Sequence, residues 1–216
     1  MRQAVDQLLP FNSVRRPTLR KSLCIALLSI FFVIGRTAHA QQLDAAFGLG
    51  TVTAPSASDA SGNFFPQSVG GGVFPTISGD VLLLHHLGVG GEVSWRATRN
   101  LSQGFLPFRP IFYDFNAVFA PPLGKKAAAE LQAGVGGESV RFYQPFFTCS
   151  FFSCTNFTSS NHLLAHVGGG IKLYTFHNIF VRPEVHYYFI RNNFEFSGNH
   201  ATRLGVSIGY TFRGYL

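Results

Sequence analysis

The chain has 216 residues, room for one domain or a small pair, and it is poor in charge (12%) while holding 24 Phe and 23 Gly. Its formal charge of +7 is concentrated at the start: residues 1–40 carry six Lys/Arg and one acid, which leaves 11 basic and 9 acidic groups after them. That near-neutral remainder gives no reason to expect a nucleic-acid partner.

In chain order, Arg15, Arg16, Arg20 and Lys21 precede an apolar run of twelve, from Cys24 to Gly35, and Ala38-His39-Ala40 follows. Positive charge, a short apolar core and a small-x-small end are the three parts of a secretory signal peptide. The run is too short for a spanning helix, which needs about 20 apolar residues. Cleavage is expected after Ala40, leaving 41–216 as one domain. Cys24 opens the run, whereas a lipoprotein cysteine would follow it. Beyond Gly35 no stretch is long and apolar enough to span a bilayer as a helix. An apolar exported chain without such a helix points to a closed barrel, because only helices and closed barrels satisfy every backbone group in lipid.

Strands with one half-buried face alternate with period two, and eight segments do so. Phe47 and Leu49 alternate with Ala46, Gly48 and Gly50. Residues 69–76 form the weakest segment, with three consecutive glycines and Pro75. Leu87, Val89, Val93 and Trp95 alternate with Gly88, Gly90, Glu92, Ser94 and Arg96. Ile111, Tyr113, Phe115, Ala117 and Phe119 oppose Asp114 and Asn116. Leu131, Ala133 and Val135 oppose Glu130, Gln132, Gly134 and Gly136. Leu163, Ala165, Val167, Ile171 and Leu173 oppose His162, His166, Gly168, Gly170 and Lys172. Val181, Val185, Tyr187 and Phe189 oppose Arg182, Glu184, His186 and Tyr188. The last segment is the clearest, with Leu204, Val206, Ile208, Tyr210 and Phe212 against Arg203, Gly205, Ser207, Gly209 and Thr211.

Short connections at 78–80, 121–126 and 177–178, rich in turn residues, alternate with longer ones at 54–66, 98–107, 144–161 and 192–199. Short periplasmic turns with longer external loops are the layout of outer-membrane barrels. On that topology Trp95, Tyr113 and Phe189 fall at the external rim, and Phe119, Tyr210 and Phe212 at the periplasmic rim, as two aromatic girdles. Pro183 lies inside a strand that has neighbours on both sides, where it removes a ladder hydrogen bond. A bulge or a later strand start is expected there.

The glycine-rich strands Gly88-Val89-Gly90-Gly91-Glu92, Gly134-Val135-Gly136-Gly137-Glu138 and Val167-Gly168-Gly169-Gly170-Ile171, with the closing Val206-Ser207-Ile208-Gly209-Tyr210-Thr211-Phe212, carry a resemblance. The chain after residue 40 resembles the OmpA/OmpX-type eight-stranded outer-membrane barrels. The resemblance implies an all-β, antiparallel, up-and-down transmembrane barrel in the bacterial outer membrane. Architecture of this kind is a poor guide to function.

The inward face gathers Glu92, Arg96, Glu130, Glu138, Lys172, Arg182, Glu184 and Arg203, with Lys172 opposite or diagonal to Glu184. Eight strands leave an interior just wide enough to be filled by side chains. An ion-paired plug is therefore favoured over a narrow conducting lumen. Cys149 and Cys154, a pair in an exported chain, read as a disulfide. They stiffen a third external loop in which Phe146, Phe147, Phe151, Phe152 and Phe157 either pack on the loop itself or on the barrel rim, or offer a contact surface for a partner, lipid or ligand. His162 sits toward the rim, apart from His166 and His186, and without a defined ligand shell the three read as separate satisfied side chains, so no metal or cofactor is expected. His200-x-Thr202 is the nearest approach to a His-x-Ser lipid A hydrolase pair. With only Glu195 near it and no assigned orienting acid, it carries no catalytic expectation. The expected role is a non-enzymatic, monomeric barrel in outer-membrane lipid, either structural in the envelope or binding an extracellular ligand or partner through its loops. A narrow channel for ions or small solutes is the alternative, with a lipid A-modifying enzyme ranked behind it.

Overall fold

The computed structural model describes residues 42–55, 68–102, 105–149, 154–192, 196 and 198–213, with backbone alone at 213. The expected export segment lies outside the described residues. Among the described residues ten strands follow one another: β1 (Gln42–Thr53), β2 (Phe74–Leu84), β3 (Leu87–Trp95), β4 (Asn100–Ser102), β5 (Leu106–Phe119), β6 (Pro122–Gly124), β7 (Ala127–Cys149), β8 (Cys154–Phe176), β9 (Ile179–Ile190) and β10 (His200–Arg213). All pairings are antiparallel. Eight strands close a ring in the order β1-β2-β3-β5-β7-β8-β9-β10, with β1 paired to β10 and β5 to β7. The short β4 and β6 extend β5 and β7 at the two ends. Closure leaves the ring no unpaired edge, the condition a sheet must meet in hydrocarbon.

The alternation read from the sequence is inside out relative to a soluble barrel. Phe47, Ile77, Val89, Phe115, Leu131, Val135, Val167, Val206 and Ile208 point outward and are exposed. Asp44, Ser78, Glu92, Asp114, Gln132, His166, Lys172, Arg182 and Arg203 point inward and are buried. An exposed apolar belt around a polar interior fits a barrel whose outside meets lipid. Trp95, Tyr113, Phe119, Phe189, Tyr210 and Phe212 all lie on this outer face.

Four details differ from the sequence reading. The second strand runs from Phe74 to Leu84, not 69–76, and Ser78-Gly79-Asp80 lies in its middle. Those residues have the composition of a turn, but Ser78 and Asp80 point inward to serve the buried cations; the chain reverses at His85-His86, where His85 takes φ 45°. Residues 144–161 are largely strand, because β7 and β8 continue past the ring as a two-stranded ribbon. Pro183 is accommodated by neither a bulge nor a late start. It points outward within β9, keeps its place opposite Val206, and the β8–β9 ladder skips from Gly170↔Glu184 to Leu173↔Val181 without changing register. Finally, the interior is not polar throughout. Its external half holds Val52, Phe74, Phe108, Phe112, Val140, Leu164, Tyr188 and Ile190, with Val69 and Phe196 folded in from the loops.

Candidate functional site: the charged lumen and the outer ribbon

Three buried cations from three consecutive ring strands organise the lumen. Lys172 on β8 donates to Asp44 (2.5 Å), pairs with Glu130 and lies 3.8 Å from Asp80. Arg182 on β9 pairs with Glu130, and donates to Glu184 (2.8 Å), Ser207 (3.1 Å) and Ser78 (2.9 Å). Arg203 on β10 reaches across to Glu92 (2.5 Å), Glu184 (3.0 Å), Thr76 (2.6 Å) and the Tyr188 hydroxyl (3.2 Å). Contacts to β1, β2, β3 and β7 tie both sides of the ring together. Paired and hydrogen-bonded in this way, the charges meet the condition under which burial is tolerated.

A neutral chain of hydrogen bonds runs between the charged clusters. Gln132 donates to Glu130 (2.7 Å), and Asn116 donates to Asp114 (2.5 Å) and Gln132 (3.5 Å). With its amide nitrogen so committed, Asn116 presents its oxygen to His166 Nδ1 at 2.8 Å. His166 Nε2 meets His186 Nδ1 at 2.8 Å, and the rings stack 5.0 Å apart. Inward glycines make the room. A Cβ on Gly168 would stand 2.6 Å from His186 Nδ1 and 2.9 Å from His166 Nε2, and one on Gly90 would stand 2.1 Å from Asp80 Oδ1.

Of the residues expected in the interior, Glu92, Glu130, Lys172, Arg182, Glu184 and Arg203 come together. Two do not join them through the contacts described above. Arg96 follows the end of β3 and donates to the Gly70 carbonyl (3.2 Å) at the external rim, since the chain has left the ring there. Glu138 is buried higher on β7, in register with Phe112 and His162. Lys172 lies diagonal to Glu184 but contacts Asp44 and Glu130 instead. Asp44 and Asp80 were missed. Asp44 sits just before the residues used to recognise the first strand, and Asp80 inside an apparent turn. The inward alternation of β1 and β2 was the signal that could have found them. His166 and His186, read as separate, are bonded to each other, while His162 stays apart beside Ser160 (3.1 Å).

At the external end Cys149 and Cys154 are joined by a disulfide across the ribbon, with Cα atoms 4.0 Å apart. Phe146 and Phe147 are exposed at 61% and 69%. Phe157 instead packs on the ribbon, 5.9 Å from Tyr143 and under Arg141. Phe151, Phe152 and Glu195 lie outside the described residues. β5 pairs β7 only as far as Phe108↔Phe142, and β9 pairs β8 only as far as Leu164↔Ile190. Beyond these points, and beyond the Arg191 N–H that reaches the Leu163 carbonyl (2.8 Å), β7 and β8 pair only with each other among the described residues. His200 stacks on Tyr187 at 5.7 Å on the outer face.

No protein-family model matches the chain, and no curated protein matches its sequence. Solved structures do match. The N-terminal β-barrel domain of Pseudomonas aeruginosa OprF superposes with a TM-score of 0.50 at 11% identity, covering 81% of this chain and 100% of that one. Neisserial surface protein A superposes with a TM-score of 0.54 at 10% identity, covering 80% and 97%. A major outer membrane protein from Thermus thermophilus gives 0.48 at 12% identity, covering 79% and 99%. The first two are eight-stranded outer-membrane β-barrel proteins, and the chain shares their fold.

Proposed function

We propose that the protein is a closed, non-enzymatic outer-membrane barrel that holds up the β7–β8 ribbon as a docking surface for an extracellular partner. The ribbon's projection beyond the ring carries the reading. It is stapled at its tip, shows two exposed phenylalanines, and has edges that pair with no other described strand. The two edges differ. β7 is blunted by Pro145 and by a register shift between Tyr143 and Thr148, both devices that discourage strand addition. The β8 edge from 155 to 161 carries neither charge nor proline, so it suits an extended partner segment adding as a further strand. Exposed aromatic rings on a stiffened ribbon add contact area at little entropic cost.

The lumen supports the closed part of the reading. Phe74, Phe108, Phe112 and Phe196 fill its external half above the ion pairs, which is unfavourable for a conducting pore. Cells displaying the intact chain should adhere to surfaces coated with host-cell or matrix protein. Deleting 144–160 should abolish adherence while the barrel keeps its heat-modifiable gel migration. Adherence that is absent from the intact protein, or undiminished by the deletion, overturns the proposal.

A further inference from the structure

We infer that the upper lumen is a binding site for one divalent transition-metal ion of the zinc(II) type, held by His186, Glu184 and Glu92. One ligand atom from each of the three lies within 4.8 Å of the others, and all three residues are buried. His186 Nε2 is 3.8 Å from Glu184 Oε2. Two ligands on a tetrahedral zinc, at bond lengths near 2.1 Å, stand about 3.4 Å apart, so small side-chain shifts bring the set to a metal.

The state of His186 points to a ligand independently of the carboxylates. Asn116 is oriented by its donations to Asp114 and Gln132, so its oxygen takes a proton from His166 Nδ1. His166 Nε2 is then an acceptor, and His186 must donate to it through Nδ1. In the neutral pair that leaves His186 Nε2 as a bare lone pair. It is buried, has no hydrogen-bond partner, and faces a carboxylate. A histidine whose far nitrogen is committed as a donor to a supporting group is the arrangement found at metal sites, where the supporting bond fixes the tautomer. Gly168 preserves the space, because any Cβ there would strike both rings. The second oxygen of Glu92 is likewise buried without a hydrogen-bond partner.

Arg203 bridges Glu92 Oε1 (2.5 Å) and Glu184 Oε1 (3.0 Å), and Arg182 donates to Glu184 Oε2 (2.8 Å), so the open ligand atoms of the set are His186 Nε2 and Glu92 Oε2. The lower triad of Asp44, Asp80 and Glu130 offers no such imidazole, and the Lys172 ammonium sits among its oxygens.

The lumen is closed above by aromatic rings, so the ion should be loaded as the barrel folds. The full chain is folded in detergent with ZnCl2, freed of loose metal by gel filtration against EDTA, and its zinc counted by elemental mass spectrometry. The expected result is about one zinc per chain, unchanged in a His85→Ala/His86→Ala variant, which removes the exposed turn histidines. The near-isosteric His186→Gln should lose it, and His166→Ala should weaken zinc retention about 10–100-fold through loss of the supporting bond. Zinc retained by a folded His186→Gln barrel, or none retained by the intact chain, overturns the inference; the second result would leave a proton as the occupant. If His186→Gln fails to fold, X-ray absorption on the zinc-loaded intact chain decides. One imidazole with oxygen ligands supports the site, and a shell without imidazole refutes it.

Discussion

Replacing Arg203 with Met tests whether the interior is held by its ion pairs. The guanidinium makes four hydrogen bonds, to Glu92, Glu184, Thr76 and Tyr188. After Arg203→Met, Glu184 keeps Arg182 (2.8 Å) and Ser207 (3.1 Å), and Thr76 keeps Ser94 (3.2 Å). Glu92 keeps only the Tyr188 hydroxyl (3.1 Å) and is left as a buried carboxylate without its cation. Breaking one partner out of a buried pair costs about 3–5 kcal/mol. Restoring neutrality with Glu92→Gln in the same chain should recover much of that loss, because the cost lies in the orphaned charge and not in the missing hydrogen bonds. Urea unfolding in lipid vesicles, followed by heat-modifiable gel migration with EDTA present throughout, measures both. A loss below about 1 kcal/mol for the single variant, or a double variant less stable than the single, would refute the reasoning.

The remaining expectations concern space, the staple and the seal. Gly168→Ala places a methyl against both histidine rings and should cost about 1–3 kcal/mol by overpacking. Gly124→Ala, where nothing lies within 4 Å, should stay within about 0.5 kcal/mol; equal effects in the same unfolding assay would contradict the cradle. The Cys149→Ser/Cys154→Ser pair should speed protease nicking at the ribbon tip while barrel stability changes by less than about 0.5 kcal/mol. Those cysteines pair with each other above the last ring contacts, so a fall in barrel stability of about 2 kcal/mol or more would sink the description of the tip as separate. In planar bilayers the intact chain should show no steady conductance, and neither should Phe108→Ala/Phe112→Ala, because the charged layer closes the lumen beneath them. Steady current through the intact protein would remove the seal.

The barrel was legible because a membrane strand declares itself in both phases of its alternation: Leu204 through Phe212 and Arg203 through Thr211 differ in residue type as two faces of one strand. What failed was local punctuation. Ser78-Gly79-Asp80 carries the residues of a turn, yet their inward placement serves Arg182 and Lys172 across the ring, and no residue adjacent in sequence reports that. His85-His86 makes the actual reversal without any Gly, Asn or Asp. The loop at 144–161 looked irregular because its hydrophobic period is lost above the membrane, where hydrocarbon no longer selects one face, although the ladder continues to Cys149↔Cys154. The interior cations were found by face alone. Their partners were not, because Lys172 reaches Asp44 across 128 positions of sequence, and only the closure of β1 on β10 brings those residues to one axis.

The most direct test of the inside-out barrel is the environment of its outward face. Spin labels at Phe115, Val135, Val206 and Ile208, introduced singly into the chain folded in phospholipid bilayers, report whether each position meets hydrocarbon or water. An apolar belt seated in lipid predicts high accessibility to oxygen and low accessibility to a water-soluble nickel chelate at all four. Labels at these positions that the nickel chelate relaxes strongly, with oxygen access low, would contradict it and put the apolar belt against something other than lipid.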